Sequence, residues 1–544
     1  MNTAPAPLAD PASPKRLPAP GARWLLLLRA WLSSNWPELL IASALVALFC
    51  LVHRRREAVE IGGDAITKWH FVRQWSYAND FSHAKWDHHK ARMGVNAVTW
   101  LVQKLCGRGW RAYYVGPFWM AALQLPLVYA LGRRLSGRFV GVLAAFFIIY
   151  LAAVHRSASQ LLPDGYAGTY AIASAYLFAR FVEAERDRQQ QQALGWLIAM
   201  SVASFVGYLA KETFVFFYPA FVLAVWLVRR RLLDVVLTCG IWLAGLALET
   251  LAYRLFTDYH SRLAIIRSTH LGASTTVEDA PSIGLEGLRA IYVRLDNDWL
   301  WLLGIGLLGA IWLLFFNRTS QKVGRAVALL GISHVAALCI SAQIWQRPLP
   351  RYMDPAAPFA AVCAAVVFGV LLQKPLQRWP LFVKHDPGAD PRGAAAAVLV
   401  VVGIAAALTY RRQRDNPEFD GVGQGALVAG LANNTYDRNL PIACEPRTAK
   451  VLWTLYNVYL SDQSLARDGV LPDYDRAKRH TKRFTYLVKN PEAFDERVFS
   501  RLLAAGCVLQ VKRGADASRR GYVDAKQHEE LPKSCDRELA EATR

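Results

Sequence analysis

The sequence predicts an α-helical polytopic membrane protein with amphipathic interfacial helices and a small C-terminal soluble domain of α/β or α+β class. Three observations lead there. The 544-residue chain is 54% hydrophobic and 19% charged, its apolar residues gather into runs long enough to cross a bilayer, and those runs stop near residue 410. A net charge of +21 raises nucleic acid as a partner, but Lys and Arg sit mostly in short connections between apolar runs, the pattern of topology signals. Nucleic-acid binding is therefore not expected.

Residues 1–35 open with MNTAPAPLADPASPKRLPAP, too rich in Pro and Ala to build a core, and are expected to form a disordered cytoplasmic tail without a cleavable signal peptide. The first spanning run, 36–52, lies behind Lys15, Arg16, Arg23 and Arg29, which favour an inside amino terminus. Its far end delivers residues 53–111 as the first outer loop. There Asp64 follows Gly62 and Gly63, so a carboxylate sits on flexible backbone close to the bilayer surface, where it could act as a base. Trp69, Phe71, Val72 and Trp75, then Val95, Val98, Leu101, Val102 and Leu105, recur at helical spacing and suggest two interfacial helices. Asp87, His88, His89 and Arg92 fall between them. A basic, aromatic loop of this kind reads either as an interfacial anchor or as an active site.

Further runs at about 112–131, 139–154, 166–182, 193–209, 213–228, 232–253, 299–316, 325–343, 355–372 and 394–409 bring the spans to about eleven. The connections holding Arg133, Arg134 and Arg138, Arg229 to Arg231, Arg318, Lys322 and Arg325, and Lys374, Arg378, Lys384 and Arg392 then all lie inside. The first outer loop breaks the charge rule with Arg54 to Arg56, Lys68, Arg73, Lys85, Lys90 and Arg92, an excess that calls for an anionic partner such as a lipid phosphate.

The other outer connections hold few but notable polar residues. HRSASQLLPDGY contains His155, Arg156, Asp164 and Tyr166; its Pro-Asp-Gly reads as a turn that can also present an acid. Lys211 and Glu212 in YLAKETFVFFYP lie near membrane depth, where ionisable residues are costly unless they form a local ion pair or serve a site. The loop 254–297, with Arg262, Arg267 and His270, is long enough to fold over a site. QRPLPRYMDPAAP sets Arg347 and Arg351 among prolines, where a guanidinium fork could grip phosphate or simply snorkel to the headgroups. Gly304, Gly306 and Gly309 match a dinucleotide fingerprint as a string, but they lie inside an apolar span, which points to close helix packing instead.

From 411 to 544 the chain is polar and, by an odd count of spans, lies outside. Ala449 to Leu460 and Pro491 to Ala504 read as amphipathic helices, and Cys507 to Lys512 as a short strand. Cys106, Cys444, Cys507 and Cys535 would face the oxidising side, where Cys444 could pair with Cys507 or Cys535.

With these residues in place the chain resembles the polytopic glycosyltransferases of the GT-C superfamily, the bacterial relatives of protein O-mannosyltransferases and of the aminoarabinose transferase. The resemblance covers roughly 36–409. It rests on Gly63-Asp64-Ala65 soon after the first span, on the amphipathic stretch 68–105, on Asp164 in the next outer loop, and on Arg351, Tyr352, Pro355 and Pro358 before a late span. It implies Asp64 as catalytic base with Asp164 as a second acid, in a multi-pass protein of the bacterial inner membrane whose active site faces the periplasm. One departure is that Ala65, not a second acid, follows Asp64.

The implied reaction takes a sugar from a polyprenyl-phosphate donor to a glycan, lipid or protein acceptor. It needs a base for the acceptor hydroxyl and cations for the leaving phosphate. Asp64 supplies the first; Arg351, with Lys211, Arg347 or Arg92, supplies the second, while Asp87, His88, His89 and Glu212 complete the substrate-binding set. Asp64, Asp87 and His88 are suitable ligand types for a divalent cation, but their spacing matches no metal motif and no cofactor is predicted. The alternative is a polytopic transporter or flippase for a lipid-linked sugar. It would show polar residues at mid-span and an internal repeat; here the ionisable residues cluster at the outer helix ends.

Overall fold

The computed structural model describes residues 20–53, 90–107, 110–256, 297–317, 321–344, 350–373 and 391–415, three short strands beyond them, and nine further residues: Ala65, Lys68, Trp69, Phe71, Val72, Ser261, Arg262, Ala264 and Ile265. The expectations at Asp64, Asp87, His88, His89, Arg347, Cys444, Cys507, Cys535 and the two C-terminal helices lie outside the described residues.

Thirteen helices are described: α1 (Pro20–His53), α2 (Met93–Cys106), α3 (Trp110–Ser136), α4 (Arg138–Tyr150), α5 (Ala152–Ser159), α6 (Pro163–Arg186), α7 (Gln190–Ala210), α8 (Tyr218–Arg229), α9 (Leu232–Phe256), α10 (Asn297–Phe315), α11 (Gln321–Ile344), α12 (Ala357–Gln373) and α13 (Pro391–Asp415). Short 3-10 turns, Glu212–Phe217 and Pro350–Ala356, lead into α8 and α12. Helix α1 begins at Pro20, inside the stretch expected to be a disordered tail, because the Leu-rich run Trp24 to Leu32 continues the helix backwards from the span. Helix α2 is the second interfacial helix read from the sequence, with Val95 buried and Leu101 and Leu105 exposed.

The predicted spans fall on helices, with 139–154 split between α4 and α5 at Leu151 and 213–228 beginning in the Glu212–Phe217 turn. Seven helices among the described residues are long and apolar enough to cross a membrane, or eight if α4 and α5, bent by 64° at Leu151, form one span. Helix α6 falls below that threshold while being largely buried: it packs on α7, α3 and the Pro350–Ala356 turn, so Ser174 and Thr169 bond to protein rather than meet lipid. Helices α10 and α13 have shorter apolar stretches, Trp299–Phe315 and Ala395–Arg411.

The charged residues sort to the two ends of the bundle. At one end Glu38 of α1 accepts from Arg133 Nη1 at 2.6 Å and Arg138 Nη2 at 2.8 Å and bonds Tyr129. Beside it Arg134 Nε reaches Glu183 Oε1 at 2.6 Å, Arg229 pairs with Glu185, and Lys322 donates to the Val228 carbonyl at 2.8 Å. These are the basic connections assigned to the inner face from sequence. Their partners are carboxylates and open helix carbonyls, which a basic side chain near a helix C-terminus complements.

The glycine reading holds for two residues of three. A Cβ on Gly309 would come within 1.8 Å of the Cys363 carbonyl oxygen and one on Gly306 within 3.1 Å of the Ala360 oxygen, so α10 and α12 touch backbone to backbone; Gly304 faces open space. In the C-terminal region β2 (Leu509–Arg513) overlaps the predicted strand. It pairs in parallel with β1 (Ile442–Ala443) and antiparallel with β3 (Val523–Lys526).

Candidate functional site

The opposite end of the bundle gathers buried charges of both signs. Pro163-Asp164-Gly165 is not a free turn: Pro163 begins α6 at a position where its missing N–H costs nothing, and Asp164 sits in the first turn, where the helix dipole favours an anion. Asp164 is fully buried and pairs with Lys211, also buried, at the break between α7 and the Glu212–Phe217 turn. The second carboxylate oxygen of Asp164, Oδ2, is buried with no hydrogen-bond partner among the described residues. Burial pushes the Lys211 ammonium down from its ordinary pKa, against the pull of Asp164.

Lys211 and Glu212 do not pair with each other, although they adjoin. The extended backbone at Lys211 (φ −152°, ψ 133°) turns successive side chains apart. Glu212 instead receives a fork from Arg92, Nη2 to Oε1 at 2.6 Å and Nε to Oε2 at 3.3 Å. Arg262 adds a contact to Glu212 Oε2 at 3.4 Å while also reaching Glu249 Oε1 at 3.4 Å and the Tyr208 carbonyl at 2.9 Å. Residues from the segment leading into α2, the α7 break and the segment after α9 thus meet on one carboxylate.

The Pro350–Ala356 turn closes the group. Lys211 Nζ lies 3.9 Å from the centre of the Tyr352 ring, and Arg351 lies 5.9 Å from it. His334 Nε2 donates to the Tyr352 carbonyl at 2.9 Å, Ser157 Oγ meets Asp354 Oδ2 at 3.5 Å, and Pro355 packs on Gly168, fixing the turn against α11, α5 and α6. Ala65 and Trp69 are buried in one apolar cluster with Tyr166 and Ala210, the near neighbours of Asp164 and Lys211.

The structure thus brings together Arg92, Asp164, Lys211, Glu212 and Arg351 of the residues singled out from sequence. Glu249, His334 and Asp354 were not foreseen, being single polar residues in or beside apolar runs with no local pattern. No group of three His, Cys, Asp or Glu among the described residues converges as metal ligands. Chemically the arrangement can hold an anion on guanidinium and ammonium groups and keep a carboxylate in a water-poor pocket.

A many-spanning helical membrane protein with a buried, mixed-charge site at one end of its bundle is the class that fold and site define. Within it, residues 90–252 match the family model described as dolichyl-phosphate-mannose-protein mannosyltransferase, which bears out over that segment the GT-C resemblance read from the sequence. Among solved structures the chain is similar to ArnT from Cupriavidus metallidurans bound to undecaprenyl phosphate, at 15% identity and a TM-score of 0.49 over 88% of this chain and 93% of that one. The apo form of the same protein gives 14% identity and 0.46 over 89% and 93%. The archaeal oligosaccharyltransferase AglB from Archaeoglobus fulgidus, in complex with an inhibitory peptide and a dolichol-phosphate, gives 11% and 0.44 over 92% and 75%. No curated protein sequence matches the chain.

Proposed function

We propose that this protein is a GT-C-type glycosyltransferase that moves a sugar from a polyprenyl-phosphate donor to a glycan, lipid or protein acceptor at the periplasmic face of a bacterial inner membrane. The observation that carries this reading is the buried cluster of Arg92, Asp164, Lys211 and Glu212, which falls within the segment matching a family named for a lipid-phosphate sugar donor.

In this reading Asp64 takes the proton of the acceptor hydroxyl, and the freed oxygen attacks the anomeric carbon. The bond from that carbon to the phosphate oxygen breaks, and the polyprenyl phosphate leaves with the bonding electrons. Arg92, Lys211 and Arg351 offset the charge that develops on it. Asp87, His88, His89 and Arg347 join them in holding the substrates, and Asp164, paired with Lys211, is the second acid of the site. The burial of Ala65 beside the neighbours of Asp164 and Lys211 supports Asp64 as a member of the site.

The test is transfer of radiolabelled sugar by purified variants. Asp64→Asn keeps size and loses only basicity, so turnover should drop roughly a hundredfold or more with donor binding retained. Near-normal transfer in Asp64→Asn together with its loss in Asp164→Asn would move the base to Asp164. Normal transfer in both would rule out either acid as the base, and no transfer by the unaltered protein would rule out the transferase reading.

A further inference from the structure

Lys211, Arg92 and Arg262 are already engaged by carboxylates of the chain itself. Lys211 is paired with Asp164, Arg92 with Glu212, and Arg262 with both Glu212 and Glu249. A phosphate entering this group has to replace one of those acids, and burial decides which one yields. The side chain of Glu212 is 19% exposed, against 1% for Asp164 and 9% for Glu249. An anion that can turn towards water gives up its partners at the least desolvation cost, whereas stranding a fully buried one is expensive. Glu212 is also the acid that two guanidiniums share, and a phosphate oxygen pair fits a planar guanidinium fork as a carboxylate does.

We infer that Glu212 is an internal stand-in for phosphate: its carboxylate holds Arg92 and Arg262 on a common point, and the donor's phosphate takes the Arg92 fork and the Arg262 contact by exchanging with it. The inference rests on the donor proposed above and assigns Arg262, from the loop after α9, to the phosphate site. It revises Glu212 from a group that binds substrate to one that competes with it. Because one anion replaces another, neither arginine is left buried without a counter-charge at any stage, and the two loops carrying Arg92 and Arg262 stay tied to the α7 break before binding.

Farnesyl phosphate binding to the full-length protein in detergent micelles, followed by calorimetry, tests the exchange. Glu212→Gln keeps the shape and removes the competing charge, so it should bind farnesyl phosphate about tenfold more tightly than the unaltered protein, and Arg262→Gln should bind it about tenfold more weakly. Inorganic phosphate forms a second arm. Tightening for both ligands assigns the site to the phosphate group, and tightening for farnesyl phosphate alone assigns it to a lipid-borne phosphate; either outcome supports the exchange.

Unchanged or weaker farnesyl phosphate binding in a folded Glu212→Gln overturns it and leaves the transferase reading standing. If neither protein binds farnesyl phosphate, the donor reading falls and this inference falls with it. Should Glu212→Gln fail to fold, a structure of the unaltered protein with farnesyl phosphate decides. An Arg92 to Glu212 separation opened beyond the 4.0 Å limit of an ion pair supports the exchange, and retention of the 2.6 Å contact overturns it.

Discussion

Asp164 and Lys211 have almost no exposed surface, and each is the other's ion-pair partner. Lys211→Met would strand a buried carboxylate, and the cost is expected at about 3–5 kcal/mol in a denaturation measurement. The double change Lys211→Met with Asp164→Leu should recover a large part of that stability, because an apolar pair of similar volume replaces the ion pair, while sugar transfer stays lost. Arg351 is the complementary case. Arg351→Ala removes charge-assisted donors from the phosphate end, and donor affinity should weaken by roughly 1.5–3 kcal/mol, read as the apparent Kd for a polyprenyl-phosphate sugar. At this scale the sequence revealed which residues are out of place: ionisable groups at the ends of apolar runs. It did not reveal their partners. Lys211 and Glu212 invite a local pair, yet one extended residue sends them to Asp164 and Arg92, 47 and 120 positions away.

Helix α6 and the α10–α12 contact show what elements add. The sequence pattern made 166–182 a span of ordinary kind, but this helix is packed in protein on several sides, so it tolerates Ser and Thr whose hydroxyls bond to the backbone one turn earlier. The glycine string was rightly read as a packing motif rather than a nucleotide loop, and its members now differ. Gly309→Ala should destabilise the fold by about 1–3 kcal/mol, because its methyl group would strike the Cys363 carbonyl; Gly304→Ala, facing open space, should be neutral or slightly favourable. Thermal melting of the two variants in detergent separates these outcomes. The turn at Pro163 is the instructive miss: Pro-Asp-Gly is strong turn chemistry, but Pro and Asp are equally good at the first positions of a helix. Local sequence did not choose between them.

For the whole molecule, the two charged ends make a topological prediction that needs no ligand. Cys106, exposed at the end of α2, belongs to the end that carries Asp164 and Lys211, while the α6–α7 connection belongs to the end that carries Glu38 and its arginines. A membrane-impermeant maleimide applied to intact spheroplasts should label Cys106 and should leave an engineered Gln189→Cys unlabelled until the membrane is permeabilised; the reverse pattern would invert the protein. The sequence by itself determined the helical, many-spanning character, the approximate place of the apolar helices and the separation of the basic connections from the other charged end. Hydropathy and charge act on each segment alone, and a run of apolar residues needs no distant partner to be driven into a bilayer. Only the tertiary structure decided that α4 and α5 bend apart, that α10 and α12 meet through glycine, and that Arg92, Arg262 and Glu212 converge. Those outcomes depend on which backbone can approach which and on which buried charge finds its opposite, and both are settled between segments far apart in the chain.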